Sequence, residues 1–235
     1  MKKTVILSAI ITGMAMSASA SLVIKASGSA VNEAGFNGLS VNAGDVVVAV
    51  HANNGNLAGV TDSLSNSWSN VQIDAGGAAQ VSYTTIGTAT NAYNIDFGIS
   101  SSTARAYYIL YADGAGESVA LIDSNTGSTT ADDFNAGLTF DSTDGLAIMA
   151  VDTGSPLSTI GTGWNAVKYQ NNRRLIFDQS FTAKTGTDLN TTFSGTGDAH
   201  VYASAVFAAV PEPATIGMLG MGSLAVLFVR RKFMI

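Results

Sequence analysis

Residues 105–111 read Arg105-Ala106-Tyr107-Tyr108-Ile109-Leu110-Tyr111. Written as a strand, this stretch puts Ala106, Tyr108 and Leu110 on one face and Tyr107, Ile109 and Tyr111 on the other. The alternation marks it as a clear strand. Val46-Val47-Val48-Ala49-Val50 is suited to a strand buried on both faces. It is a β-branched run preceded by the turn signal Asn42-Ala43-Gly44-Asp45 and followed by Asn53-Asn54-Gly55-Asn56. Gly145 to Asp152 reads as another buried strand.

Working outward, Leu22–Ala26, Gln80–Thr85, Ala92–Ile99, Ser118–Asp123, Arg174–Phe181 and His200–Ala209 carry further strand patterns. Asn32–Leu39 and Ser124–Phe134 read as loops, because they are polar and rich in Asn, Gly, Ser and Thr. Val60 to Trp68 reads as strand, turn and strand. Asp62 and Asn66 are expected to cap its turn, and Trp68 to enter the core. No helical period of useful length interrupts residues 21–209, and no internal repeat is visible. About ten to twelve short strands separated by turns imply an all-β, antiparallel β-sandwich or jelly-roll-like fold.

The two ends differ from this middle. Met1 to Ala20 has a basic start at Lys2 and Lys3, an apolar run and the small-x-small site Ala18-Ser19-Ala20. That is the pattern of a signal peptide cleaved before Ser21. At the other end come Val210-Pro211-Glu212-Pro213, the uncharged run Ala214–Val229, and Arg230-Arg231-Lys232. As a helix the run would reach about 24 Å at ~1.5 Å per residue, close to the ~30 Å of a bilayer core. The basic cluster would act as a stop-transfer signal and keep the C-terminus in the cytoplasm. The proline pair keeps the chain before the run extended and out of a ladder.

This three-part tail resembles the PEP-CTERM sorting signal of Gram-negative bacteria. The residues that carry the resemblance are Pro211, Glu212, Pro213, the apolar run and Arg230-Arg231. It implies recognition and removal of the tail by a membrane-embedded exosortase, and a link to exopolysaccharide and biofilm. The chain accordingly divides into a leader (1–20), one exported β domain (21–209) and a sorting tail with a transmembrane helix (210–235). The precursor is expected to be held in the inner membrane and then delivered to the cell envelope, cell surface or medium.

Charge narrows the partners. The leader and tail hold five of the eleven basic residues, and Glu212 is one of seventeen acids. That leaves six basic against sixteen acidic residues, a net charge of about −10 on the exported part. Such a body repels nucleic acid. The chain has no cysteine, which excludes thiol catalysis and cysteine-ligated metals.

Candidate chemistry in the middle is sparse. His51 and His200 end separate strands and could meet around a metal. Asp132, Asp133, Asp141 and Asp144 crowd into one region, an oxygen-rich set of the kind Ca²⁺ takes, but without EF-hand spacing. Only Glu33, Glu117 and Glu212 are available as glutamates, and no nucleophile elbow or phosphate loop is present. Trp164, in Gly161-Thr162-Gly163-Trp164-Asn165, could stack on a sugar ring from a glycine-rich loop. The balance points to a non-enzymatic envelope or matrix protein without a cofactor, structural or adhesive in role. The alternative is a carbohydrate-binding or carbohydrate-active jelly-roll domain.

Overall fold

A computed structural model describes residues 21–53, 59–74, 78–98, 103–114, 116–131, 133–135, 137–138, 144–171, 173–181, 192–195 and 199–211. The leader and the tail beyond Pro211, including the expected membrane helix, lie outside the described residues.

Sixteen strands and no helix make up the described chain. In order they are β1 (Leu22–Val31), β2 (Gly35–Val41), β3 (Val46–Asn53), β4 (Thr61–Asp62), β5 (Ser69–Asp74), β6 (Ala78–Thr85), β7 (Thr90–Asp96) and β8 (Thr103–Ala112). Then follow β9 (Glu117–Thr129), β10 (Asp133–Asn135), β11 (Gly145–Thr153), β12 (Leu157–Thr159), β13 (Asn165–Gln170), β14 (Arg174–Phe181), β15 (Thr192–Gly195) and β16 (His200–Pro211). All the ladders are antiparallel.

The strands form two five-stranded and two three-stranded sheets, and the second half of the chain winds as the first does. The first large sheet has the order β1-β8-β3-β6-β5 and the second β9-β16-β11-β14-β13. The small sheets are β2-β7-β4 and β10-β15-β12. Adding eight to every strand number converts one half into the other. Even an irregularity recurs. The β1–β8 register slips between Ile24 and Ala26, with Lys25 as the extra residue. The β9–β16 register slips opposite Val206/Phe207, with Ile122 as the extra residue. No residue repeat announces this duplication; it is a repeat of winding and burial.

Three apolar layers explain why the central strands are apolar on both faces. The large sheets pack on each other through Val46, Val48, Val50, Tyr108, Leu110, Leu146, Ile148, Ile176 and Phe207. The outer face of the first large sheet, with Val47, Ala49 and Ile109, meets Tyr93 and Ile95 of the first small sheet. The outer face of the second, with Ala147, Met149 and Phe177, meets Phe193 of the other small sheet. Val46–Asn53 is buried along its whole length, as is Gly145–Thr153. Antiparallel strands usually alternate because one side is wet. Here four stacked sheets leave β3, β8 and β11 no wet side, and continuous apolar runs result.

Two expected loops are strands. Residues 32–39 contain the start of β2, whose Gly35 lies so close to the Ile95 carbonyl that a Cβ would collide with it. Glycine there signals close strand approach rather than a loop. Residues 124–129 complete β9, paired with β16. The turn at Asp62 forms as expected. Its carboxylate accepts from Leu64 N at 2.7 Å and Asn66 N at 3.3 Å, and Ser65 takes a positive φ of 57°. Trp68 is half-buried at the edge of an apolar layer, and its indole N–H donates to Asp62 at 2.7 Å.

Candidate functional site

The ladders give the body two distinct ends. Leu22, Val46, Ala112, Glu117, Gly145 and Pro211 are strand ends at one of them. The two halves come close there, the Ser21 hydroxyl lying 3.5 Å from the Asp144 carboxylate. Asn53, Ala78, Thr103, Thr153, Arg174 and His200 mark the other end, where the Asp152 carboxylate accepts from the Ala78 amide. Strand β16, 12 residues long at ~3.3 Å each, sets the separation at roughly 40 Å.

Pro211 is the last residue of β16, opposite Glu117 of β9. The Val-Pro-Glu-Pro stretch therefore starts inside the ladder, which corrects the expectation that both prolines stay out of one: at the last position of a strand Pro211 has no amide to donate and none is needed there. Beside it lies a cavity of about 650 Å³ lined by Lys25, Asp45, Tyr111 and Glu117. Lys25 Nζ and Asp45 Oδ2 form an ion pair at 2.8 Å on this wall. Glu212, Pro213, Arg230, Arg231 and Lys232 lie outside the described residues, as do Ala18 and Ala20.

The other expected sites fare differently. Trp164 is only 6 % exposed. Its ring meets Phe193 edge-on at 5.8 Å, and Phe193 in turn meets Phe177 at 5.1 Å. Trp164 is thus packed into the core beneath the second small sheet. The glycines around it serve a turn, with Gly163 at φ 86°.

His51 and His200 do not meet. His51 lies on the face of β3 toward the first small sheet, while His200 shares the opposite outer face with Tyr202. Two sheets separate the faces. Among the described residues no group of three or more His, Asp or Glu is placed to hold a metal. Asp144 precedes β11 and Asp133 lies in β10, opposite Ser194. Asp132, Asp141 and the side chain of Asp133 lie outside the described residues.

One polar cluster had no clear signal in the sequence. Gln80, His51 and Arg105 stand side by side across β6, β3 and β8, all buried. The Arg105 guanidinium lies 5.2 Å from the Phe97 ring centre, and the His51 ring meets the same phenyl edge-on at 5.6 Å. Neither ring nitrogen of His51 has a hydrogen-bond partner. Burial, and then the charge of Arg105, lower its pKa to about 3. Burial lowers that of Arg105 to about 10, against the pull of Asp96 and Glu33. At neutral pH the row holds an uncharged imidazole, a weak proton acceptor, beside a fixed cation. The duplicated half supplies an internal control. Register places Leu175, Val151 and Tyr202 at the matching positions. The winding alone does not demand polar residues there.

The row predicts an acid sensitivity. A group whose folded pKa lies below its unfolded value of about 6.5 binds fewer protons when folded, so stability falls as pH drops below 6.5. Asp152, raised to about 6 mainly by burial and against the pull of Arg174, works in the opposite sense between its ordinary value and 6. Comparing His51→Leu with wild type cancels the Asp152 contribution. Between pH 7 and pH 5 the variant should gain about 2 kcal/mol relative to wild type in urea unfolding, at 1.36 kcal/mol per pKa unit. Equal changes in both proteins would refute a neutral buried His51.

Fold and tail together define a class, exported all-β precursors that end in a sorting signal. The comparisons agree at the tail. A protein-family model described as the PEP-CTERM protein-sorting motif matches residues 209–232. No curated protein and no solved structure matches the chain. The match covers the whole Pro-Glu-Pro, apolar and basic constellation, and it marks an exported, membrane-transiting precursor sorted by an exosortase.

Proposed function

We propose that this is a non-enzymatic protein of the cell envelope or extracellular matrix, with a structural or adhesive role in exopolysaccharide or biofilm. The leader carries it through the inner membrane, and the Ala214–Val229 helix holds it there. An exosortase-type enzyme then acts at Pro211-Glu212-Pro213. Each half is a jelly-roll-like winding, and the two share one apolar layer. The carrying observation is that the matched motif begins at the end of β16. The body then stands directly on the membrane, with its far end about 40 Å away by the strand rise. The burial of Trp164 supports this reading over a lectin-like one.

Joint substitution of Pro211, Glu212 and Pro213 by alanine tests the sorting route. The motif-deficient chain should stay in the inner-membrane fraction with its tail attached, while wild type moves to the envelope or medium. Identical fractionation of the two would overturn the assignment of the tripeptide.

A further inference from the structure

Among the described residues the two large sheets end in four edge strands, and β9 is the longest of them. An open edge offers unpaired amides and carbonyls to a further strand, and charges are the usual protection. Strand β1 carries Lys25 at its bulge and β13 carries Lys168, while β5 ends in Asp74. Strand β9 is 13 residues long and pairs only with β16 among the described residues; its charges, Glu117 and Asp123, stand in its first half, with none from Ser124 to Thr130. At the place where β1 has Lys25, β9 has Ile122, which is 40 % exposed. The matching position in the twin half is thus charged, and this one is apolar.

The backbone direction is readable. The Asn125 carbonyl faces β16, where the Ser204 hydroxyl donates to it at 3.1 Å. Strand alternation then turns the backbone groups of Ser124, Thr126 and Ser128 outward, and their side chains are exposed.

We propose that β9 is an assembly edge, and that its occupant is β9 of a second copy, paired antiparallel about Thr126. This register is self-complementary. Thr126 faces Thr126, Ser124 faces Ser128, Asn125 faces Gly127 and Ile122 faces Thr130. Cross-strand Thr and Ser pairs are favourable, and like charges opposite each other are not. Here Asp123 faces Thr129, so no acid meets an acid. Charge is compatible with the same place. A body of about −10 repels its copy, and the neutral stretch of β9 is where two such bodies approach at least cost. The product is a two-fold dimer with one continuous ten-stranded sheet. The inference does not depend on the sorting route.

The absence of native cysteines makes the test direct. Thr126→Cys in the full-length chain, oxidised in intact cells, should give a disulfide-linked dimer on non-reducing gels, since directly opposed Cα atoms ~5.5 Å apart suit the bond. Ser124→Cys alone and Ser128→Cys alone should stay monomeric, but co-expressed they should cross-link. Ser27→Cys on β1 is the edge control and should also stay monomeric. A monomeric Thr126→Cys chain, or dimers of equal yield from Thr126→Cys and Ser27→Cys, would overturn the proposal. So would cross-linking by Ser124→Cys alone.

Discussion

Phe207→Ala is expected to cost about 3–5 kcal/mol of folding stability, the usual range for emptying a buried aromatic site. Phe207 is fully buried on β16, where the two large sheets meet. Its ring stands edge-on to Tyr83 of the opposite sheet at 5.5 Å and 72°. The surrounding residues belong to paired strands and cannot collapse freely into the space. Because the halves share this layer, the loss should appear as a single cooperative urea transition at lower midpoint with an unchanged slope. Tyr169→Ala on β13, half-exposed, should stay within about 0.5 kcal/mol of wild type. A loss below 1 kcal/mol for Phe207→Ala would mean that the sheets do not pack as described.

Asp152→Ala should be about as damaging, roughly 3–5 kcal/mol, for an electrostatic reason. The Asp152 carboxylate accepts from Arg174 Nε at 3.0 Å, and both side chains are nearly buried. It also accepts from the amides of Thr153 and Ala78, the latter on a strand of the other half. Removing the acid leaves a buried guanidinium without its carboxylate. Replacing both partners, as Asp152→Leu with Arg174→Met, removes the stranded charge and should recover most of the loss. A residual of about 1–3 kcal/mol should remain, because the Ala78 amide stays unpaired. The discriminating measurement is a double-mutant cycle by urea unfolding. A double variant no better than Asp152→Ala would contradict the stranded-charge account.

The sequence was most legible where burial is complete. Val46–Val50 and Gly145–Asp152 read as buried strands, and both lie between sheets. Asp62 and Asn66 announced their turn because its chemistry is local. The edge of β9 was not legible, since a strand with no second neighbour among the described residues needs no β-branched run, and Ser, Thr, Asn and Gly pass there for a loop. The duplicated winding left no residue trace for the same reason that cores tolerate substitution. Val48 and Ile148 fill equivalent places, and so do Leu110 and Phe207, with volumes compensated by neighbours. Glycines beside Trp164 suggested an open loop, although they serve only a tight turn beneath which the indole is packed. Of the candidate sites, the tail was readable because its three parts must stand in a fixed order at a membrane. The Gln80–His51–Arg105 row was not, because its members lie on three strands and meet only through register.

The central claim is that a self-supporting β body is exported and parted from a sorting tail that begins at the last residue of β16. Intact-mass spectrometry of the protein recovered from the envelope and medium tests it most directly. The account predicts a polypeptide that starts at Ser21 and lacks the apolar run Ala214–Val229. A mature species still extending to Ile235 would contradict it.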